Sequence, residues 1–309
     1  MNISTLNNQT ENIMGCDIKD TSGLNDFQKL PNQHGIGIPK VGIERFRLPL
    51  TFRHKDGNNM THDAEASMYC NLLGSKTGVN MSRFCSILQE ETEKQPVDNE
   101  LVKNVLERYR WELRDYDNEA PVENVHLKLS YLYPLKQPSL RSENWGWQYY
   151  QCELAGEADK EGNVQLHLTV HYEYSSTCPC SLSMAEQYEK DYREGNTTEG
   201  TGVAAAHGQR SRCICHVTYR PEDDVTVEDV VGLLRKALPT ETQSLVKRVD
   251  EQAFAILNGE YPMFVEHATR RLSTVLNSDE RLLDWEASVE HFESLHSHNA
   301  VAYINKEHD

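Results

Sequence analysis

Leu166-His167-Leu168-Thr169-Val170-His171-Tyr172 places apolar and polar residues in strict alternation. A period of two marks a strand buried on one face. Leu166, Leu168, Val170 and Tyr172 are therefore expected to face a core, with His167 and His171 on the outer face. The same period recurs upstream in Phe46, Leu48, Leu50 and Phe52, in Ala64, Ala66, Met68, Cys70 and Leu72, in Val125, Leu127, Leu129 and Tyr131, and in Tyr150, Cys152 and Leu154. Downstream it returns in Cys213, Cys215, Val217 and Tyr219, and the segments near 281–292 and 299–305 read as two further strands.

Between the early strands, a helix opens near Ser82 and a second buries Leu101, Val105, Tyr109 and Leu113, which recur at spacings of four. Thr226 with Asp229 approximates a capping box and Thr240 with Gln243 matches one, so helices are expected to begin at both. Pro262 suits a first helical turn ahead of Val265, Ala268, Leu272 and Val275. The order ββααββ thus occurs twice, over 39–157 and over 158–309, without residue-by-residue repetition. It predicts an α+β fold of two tandem modules, with hairpin-built antiparallel sheets and helices on one face. Residues 1–38, rich in Asn, Asp, Gln, Thr and Gly, read as a flexible leader.

Composition narrows the partners. A formal charge of −17 leaves no basic surface in bulk for a nucleic acid. No stretch approaches the roughly 20 apolar residues of a membrane span. The protein is therefore expected to be soluble and cytoplasmic, binding neither nucleic acid nor membrane, and its 8 cysteines to be reduced thiols.

Chemistry concentrates in Thr177-Cys178-Pro179-Cys180-Ser181 and in Ala206-His207-Gly208-Gln209-Arg210-Ser211, which offer a soft sulfur ligand, an imidazole and a guanidinium. Cys178 and Cys180 lie two apart, unlike the CxxC zinc knuckle, and alone they read as partly buried thiols in a turn. His207 alone reads as a surface histidine and Arg210 as a solvated strand-end cation. His296 and His298 share a face if their segment is extended, and are a polar turn otherwise. Glu251 and Glu266 sit beside apolar helical stripes, a setting that spacing alone cannot distinguish from a solvated surface. Cys213 and Cys215 share the core-facing side of their strand.

Gly78-Val79-Asn80-Met81-Ser82-Arg83, the two motifs above, Phe264-Val265-Glu266 and Leu295 to Ala300 together resemble the type IB GTP cyclohydrolase family, from about residue 35 onward. The resemblance implies two tandem tunnel-fold modules and a homotetramer. It also implies conversion of GTP to dihydroneopterin triphosphate with release of formate, the first step of folate biosynthesis. On the matching positions it implies a divalent metal, zinc or manganese with iron also compatible, held by Cys178, Glu251, His296 and His207. Cys178 and His207 are the implied catalytic groups, and Glu266, Arg210 and Arg83 the implied substrate contacts. Asn80 stands where that family usually has histidine, and residues 185–206 form a polar insert. Two other readings are a related purine or pterin enzyme and a non-catalytic assembly that binds metal and nucleotide.

Overall fold

The computed structural model describes residues 32, 34–114 and 120–307. The expected leader lies outside the described residues except for residue 32 and residues 34–38. Eight strands follow the alternation: β1 (Ile38–Arg53), β2 (Asn59–Leu72), β3 (Val125–Pro138), β4 (Trp145–Ala158), β5 (Val164–Thr177), β6 (Gly208–Tyr219), β7 (Asp284–His291) and β8 (Ala300–Asn305). Six helices accompany them: α1 (Met81–Lys94), α2 (Asn99–Glu112), α3 (Pro179–Glu194), α4 (Val227–Ala237), α5 (Arg248–Glu260) and α6 (Val265–Leu276).

The strands form one sheet in chain order from β1 to β8, and every pairing is antiparallel. Two tandem ββααββ modules are therefore not what the chain forms. The reason lies at the expected module boundary, where Cys152–Ala158 of β4 pair with Val164–Val170 of β5, so the sheet continues without a break. Leu129, Leu154, Leu168, Val217 and Trp285 lie in register across five strands and belong to one hydrophobic core drawn from both halves of the chain. Burying each such side chain contributes about 1.5–3 kcal/mol.

In the second half, three helices separate β6 from β7, where three starts were expected, so the order there is not ββααββ. Of these, α4 buries Val230, Val231 and Leu234, and α6 buries Ala268, Leu272 and Leu276, whereas α5 buries only Asp250. Thr226 caps α4 with Asp229 in a reciprocal capping box. No helix begins at Thr240. Its hydroxyl donates to the Ser175 carbonyl at 2.5 Å and Gln243 donates to the Glu241 carbonyl, so tertiary contacts outweigh the local motif.

The expected polar loop between β5 and β6 contains α3, a 16-residue helix whose one buried residue is Ala185. An exposed helix carries no apolar stripe, so periodicity misses it. Pro179 at its first position, good helix formers such as Met184, Ala185 and Glu186, and Gly195 in the left-handed region (φ 76°) explain where it begins and ends. At Gly42 a Cβ would meet the Met68 carbonyl oxygen at 1.9 Å, so the bulged part of β1 reaches β2 only through glycine.

Candidate functional site

The site lies where β5 ends and β6 begins. Thr177 pairs with Gly208, and beyond that pair the Cys178 N–H donates to the His207 carbonyl at 3.2 Å. Cys178 is the N-cap of α3 and is half-buried, while Cys180 is exposed. The Ser181 hydroxyl accepts from the His207 N–H at 3.1 Å, which ties the first turn of α3 to the histidine. The two motifs, far apart in sequence, thus become neighbours through strand pairing. Between them the excursion folds back on itself, with Tyr188 donating to the Glu199 carbonyl at 2.6 Å and accepting from the Gly202 N–H at 3.1 Å.

His207 Nδ1 lies 3.2 Å from Gln209 Oε1 and 3.8 Å from Glu293 Oε2. That glutamate oxygen is buried and has no hydrogen-bond partner, an expensive arrangement that a cation or proton would relieve. Gln209 is fixed in turn, because its Nε2 donates to the Ser176 hydroxyl at 2.8 Å, which contacts the Ser211 hydroxyl at 2.8 Å.

A second imidazole sits beneath. His291 is 2 % exposed, and its Nε2 lies 2.9 Å from the Tyr174 hydroxyl. Burial pushes its pKa down to about 4, with the Glu266 carboxylate pulling the other way. His291 is therefore neutral near pH 7. Glu266 stands exposed in the first turn of α6. The approach to α6 is anchored at the same end, since the Met263 N–H donates to the Thr177 carbonyl at 3.0 Å.

The remaining expected residues distribute as follows. Glu251 lies exposed in the first turn of α5, on the face it shares with Phe254 and Asn258. Asn258 approaches Thr177 at 3.5 Å, and Glu251 is roughly 10 Å further along the helix axis. His296 is exposed in the β7–β8 loop and stacks on His298, with ring centroids 4.9 Å apart. That loop leaves the sheet beside β6, where the Phe292 N–H donates to the Arg210 carbonyl at 3.1 Å. Arg210 is at the same end, 3.7 Å from Glu173 and largely exposed.

Arg83 is at the other end. It donates to the carbonyls of Glu112 and Arg114, and Arg110 of the same helix end reaches the Lys160 carbonyl in the β4–β5 turn. The length of β5, roughly 45 Å at ~3.3 Å per residue, separates that turn from Cys178. Asn80 caps the nearby helix α1, so it too stands apart from Cys178 within one chain.

The fold therefore gathers Cys178, His207 and Arg210 at one end of the sheet, with Glu266, Glu251 and the His296 loop around them. Among the described residues, no group of three or more His, Cys, Asp or Glu side chains is close enough to hold a metal ion. Sequence reading missed His291 and Glu293. His291 ends the alternation of β7 on its buried face, a position where a histidine is informative. Glu293 offers no local signal, because only the β6–β7 pairing brings it to His207.

α5 owes its place to Asp250, whose carboxylate accepts from the N–H groups of Arg141, Ser142 and Lys247 and from the Ser142 hydroxyl at 2.6–2.8 Å. Burial alone would raise the pKa of this carboxyl, but these donors outweigh it and hold it well below the usual range. The unfolded chain takes up the proton first, so this stabilisation is complete above about pH 4 and lost as pH falls further. Asp250→Asn is expected to flatten that acid limb, and urea midpoints measured from pH 5 to pH 2 check it.

Comparison with known proteins follows the same lines. The profile of a family described as "Type I GTP cyclohydrolase folE2" matches residues 24–302. The GTP cyclohydrolase FolE2 of Cereibacter sphaeroides is 36 % identical over 289 residues, covering 92 % of this chain and 76 % of that protein. The FolE2 of Paracoccus denitrificans is 35 % identical over 290 residues, covering 92 % and 84 %. Among solved structures, uricase from Arthrobacter globiformis matches with a TM-score of 0.51 at 8 % identity, covering 87 % of this chain and 93 % of that one. At that identity the likeness speaks for the fold alone.

Proposed function

The chain belongs to the FolE2 family of type I GTP cyclohydrolases, and on that membership we propose that it opens the guanine ring of GTP at C8. Formate leaves, 7,8-dihydroneopterin triphosphate forms, and the reaction is the first step of folate biosynthesis. The observation that carries this reading is the family match along nearly the whole chain. The Cys178–His207 pair supports it at the level of the site.

The donor set suits a divalent cation in part. A thiolate and an imidazole on adjacent strand ends, beside a buried carboxylate oxygen without a partner, fit zinc or manganese, with iron also compatible. Cys178 and His207 would hold the ion, with Glu251 and His296 as the further proposed ligands that this conformation does not draw in. Bound there, the ion supplies Lewis acidity that makes water a nucleophile near neutral pH.

The chain's own residues do the rest. Glu266 accepts from the purine ring N–H and exocyclic amine and so orients C8. With Nδ1–H given to Gln209, His207 has one lone pair left, on Nε2, which would serve the ion or, where the other ligands hold the ion, a proton taken up and returned to a ring nitrogen, never both at once. Arg210 would meet phosphate bidentately, and Arg83 would do so from another copy of the chain. The working form is proposed as a cytoplasmic homotetramer. No described helix is long and apolar enough to cross a membrane.

Because the fold is shared with uricase, substrate choice is the informative test. The purified protein, given GTP or urate with each metal in turn, is expected to consume GTP alone. Consumption of urate, or of neither, would overturn the reading. Glu266→Gln is expected to raise the KM for GTP by about 10- to 100-fold, from the ~1.5–3 kcal/mol of hydrogen bonds to a charged acceptor. Metal content should stay unchanged, and elemental analysis of the variant checks that.

A further inference from the structure

On the reading that His207 serves a divalent ion, we propose that Gln209 is a positioning residue, which holds the ring proton of His207 on Nδ1 and so leaves the Nε2 lone pair for that ion. The sheet's own pattern points to this end of it. Cys213, Cys215, Val217 and Tyr219 face the core from β6, and the two residues that continue their row toward the site are Ser211 and Gln209, both buried. On β5 the row of Val170, Tyr172 and Tyr174 ends on Ser176, which is fully buried. An amide and two hydroxyls thus stand where apolar side chains would pack. Such departures from the strand pattern forfeit hydrophobic stabilisation and gather at functional sites.

The three polar groups form one connected unit. Ser176 is the register partner of Gln209 across the β5–β6 pair. Gln209 Nε2 donates to the Ser176 hydroxyl at 2.8 Å, and that hydroxyl lies 2.8 Å from the Ser211 hydroxyl. An amide held by its nitrogen turns its oxygen away from that partner, and Gln209 Oε1 lies 3.2 Å from His207 Nδ1.

The backbone of His207 is fixed on both sides, since its carbonyl accepts from the Cys178 N–H and its own N–H donates to the Ser181 hydroxyl. Only the ring is left to set. Two groups face its Nδ1, the Gln209 amide oxygen and, 3.8 Å away, a Glu293 carboxylate oxygen. Both are acceptors, so they draw the proton onto Nδ1. Glu293 alone does not suffice, because 3.8 Å is too long for a hydrogen bond. With the amide turned over, its N–H would donate to Nδ1, the ring proton would sit on Nε2, and no lone pair would remain for a ligand. A partner on the far nitrogen of an imidazole ligand fixes the ring and raises its basicity, and losing one costs about 10–100-fold in metal affinity.

The test compares the full chain with Gln209→Met, which keeps the side-chain length without the acceptor, and Gln209→Glu, which restores an acceptor. In the metal-free proteins, ¹⁵N-histidine spectra at pH 8 show which nitrogen of His207 carries the proton, with His207→Gln identifying the signals. Zinc held at the site is taken as the part lost in Cys178→Ala. The expected result is a proton on Nδ1 in the parent and in Gln209→Glu, a mixture of tautomers in Gln209→Met, and zinc affinity about 10–100-fold weaker in Gln209→Met alone. Thermal midpoints close to the parent's separate this from loss of fold. A parent His207 protonated on Nε2, a Gln209→Met variant with the parent's tautomer and zinc affinity, or equal weakening in both variants would each overturn the proposal. A parent that binds no zinc, with the tautomer still shifted in Gln209→Met, would sink the ion reading and uphold the placing of the proton by Gln209.

Discussion

Cys178→Ala is expected to abolish GTP turnover, lowering kcat by at least roughly 10²–10⁴-fold, the range spanned by loss of one positioned proton-transfer group. The fold should survive. Cys178 caps α3 through its backbone and its side chain makes no capping hydrogen bond, so removing the sulfur forfeits little helix stability. The contrast with Cys180 sharpens the test. Cys180 lies exposed inside the first turn of α3, and Cys180→Ala should leave kcat within a few-fold of the parent. Equal activity in both variants would reject the role of the Cys178 sulfur, and equal loss would place the chemistry on the turn as a whole. The core thiols Cys213 and Cys215 offer a further contrast, because burial raises both pKa values, that of Cys215 to about 12. They should be inert to alkylating reagents that label Cys180.

Glu241→Ala is expected to cost about 1.5–3 kcal/mol of stability, the range for hydrogen bonds to a charged group, because the Arg235 left behind is 36 % exposed and keeps some hydration. Glu241 is 5 % exposed, accepts from Arg235 Nε at 2.7 Å and from Gln137 Nε2 at 2.8 Å, and is hydrogen-bonded by the Tyr150 hydroxyl. The Arg235 guanidinium would lose that buried partner. The consequence reaches the site, because Glu241 also forms an isolated bridge with Tyr174 of β5 and its segment leads into α5. The variant should therefore lose metal affinity as well as stability. Urea denaturation measures the first and equilibrium dialysis against zinc the second; an unchanged urea midpoint would show that Glu241 does not hold this region together.

Strand positions were legible because each strand buries one face. From Leu166–Tyr172 outward, the alternation marks strands that the structure places at 164–177 and 208–219, and the core assignments of Cys213 and Cys215 agree with their full burial. What alternation cannot encode is whether two hairpin-built halves stop or join. That depended on the pairing of β4 with β5, and the expectation of two modules gave way to a single sheet. Helices were legible in proportion to their buried stripes. α4 and α6 have such stripes, whereas α3 and α5 are largely exposed and left only composition and caps to read. The capping motif at Thr240 misled because Thr240 Oγ1 found a partner on β5 instead.

The site was legible in its motifs and not in its geometry. Cys178 and His207 announce themselves by sequence context, and strand pairing brings them together. Glu293 and His291 depend on which strand lies beside β6, and no spacing along the chain carries that information. Arg83 shows the converse, since a motif in line with the others can fold to the far end of the sheet.

The most direct measurement follows GTP carrying isotope at C8 through the purified, metal-supplied protein. One labelled formate is expected for each dihydroneopterin triphosphate formed, and no formate from Cys178→Ala. Pteridine fluorescence without labelled formate, or GTP left intact with zinc, manganese and iron each supplied, would contradict it.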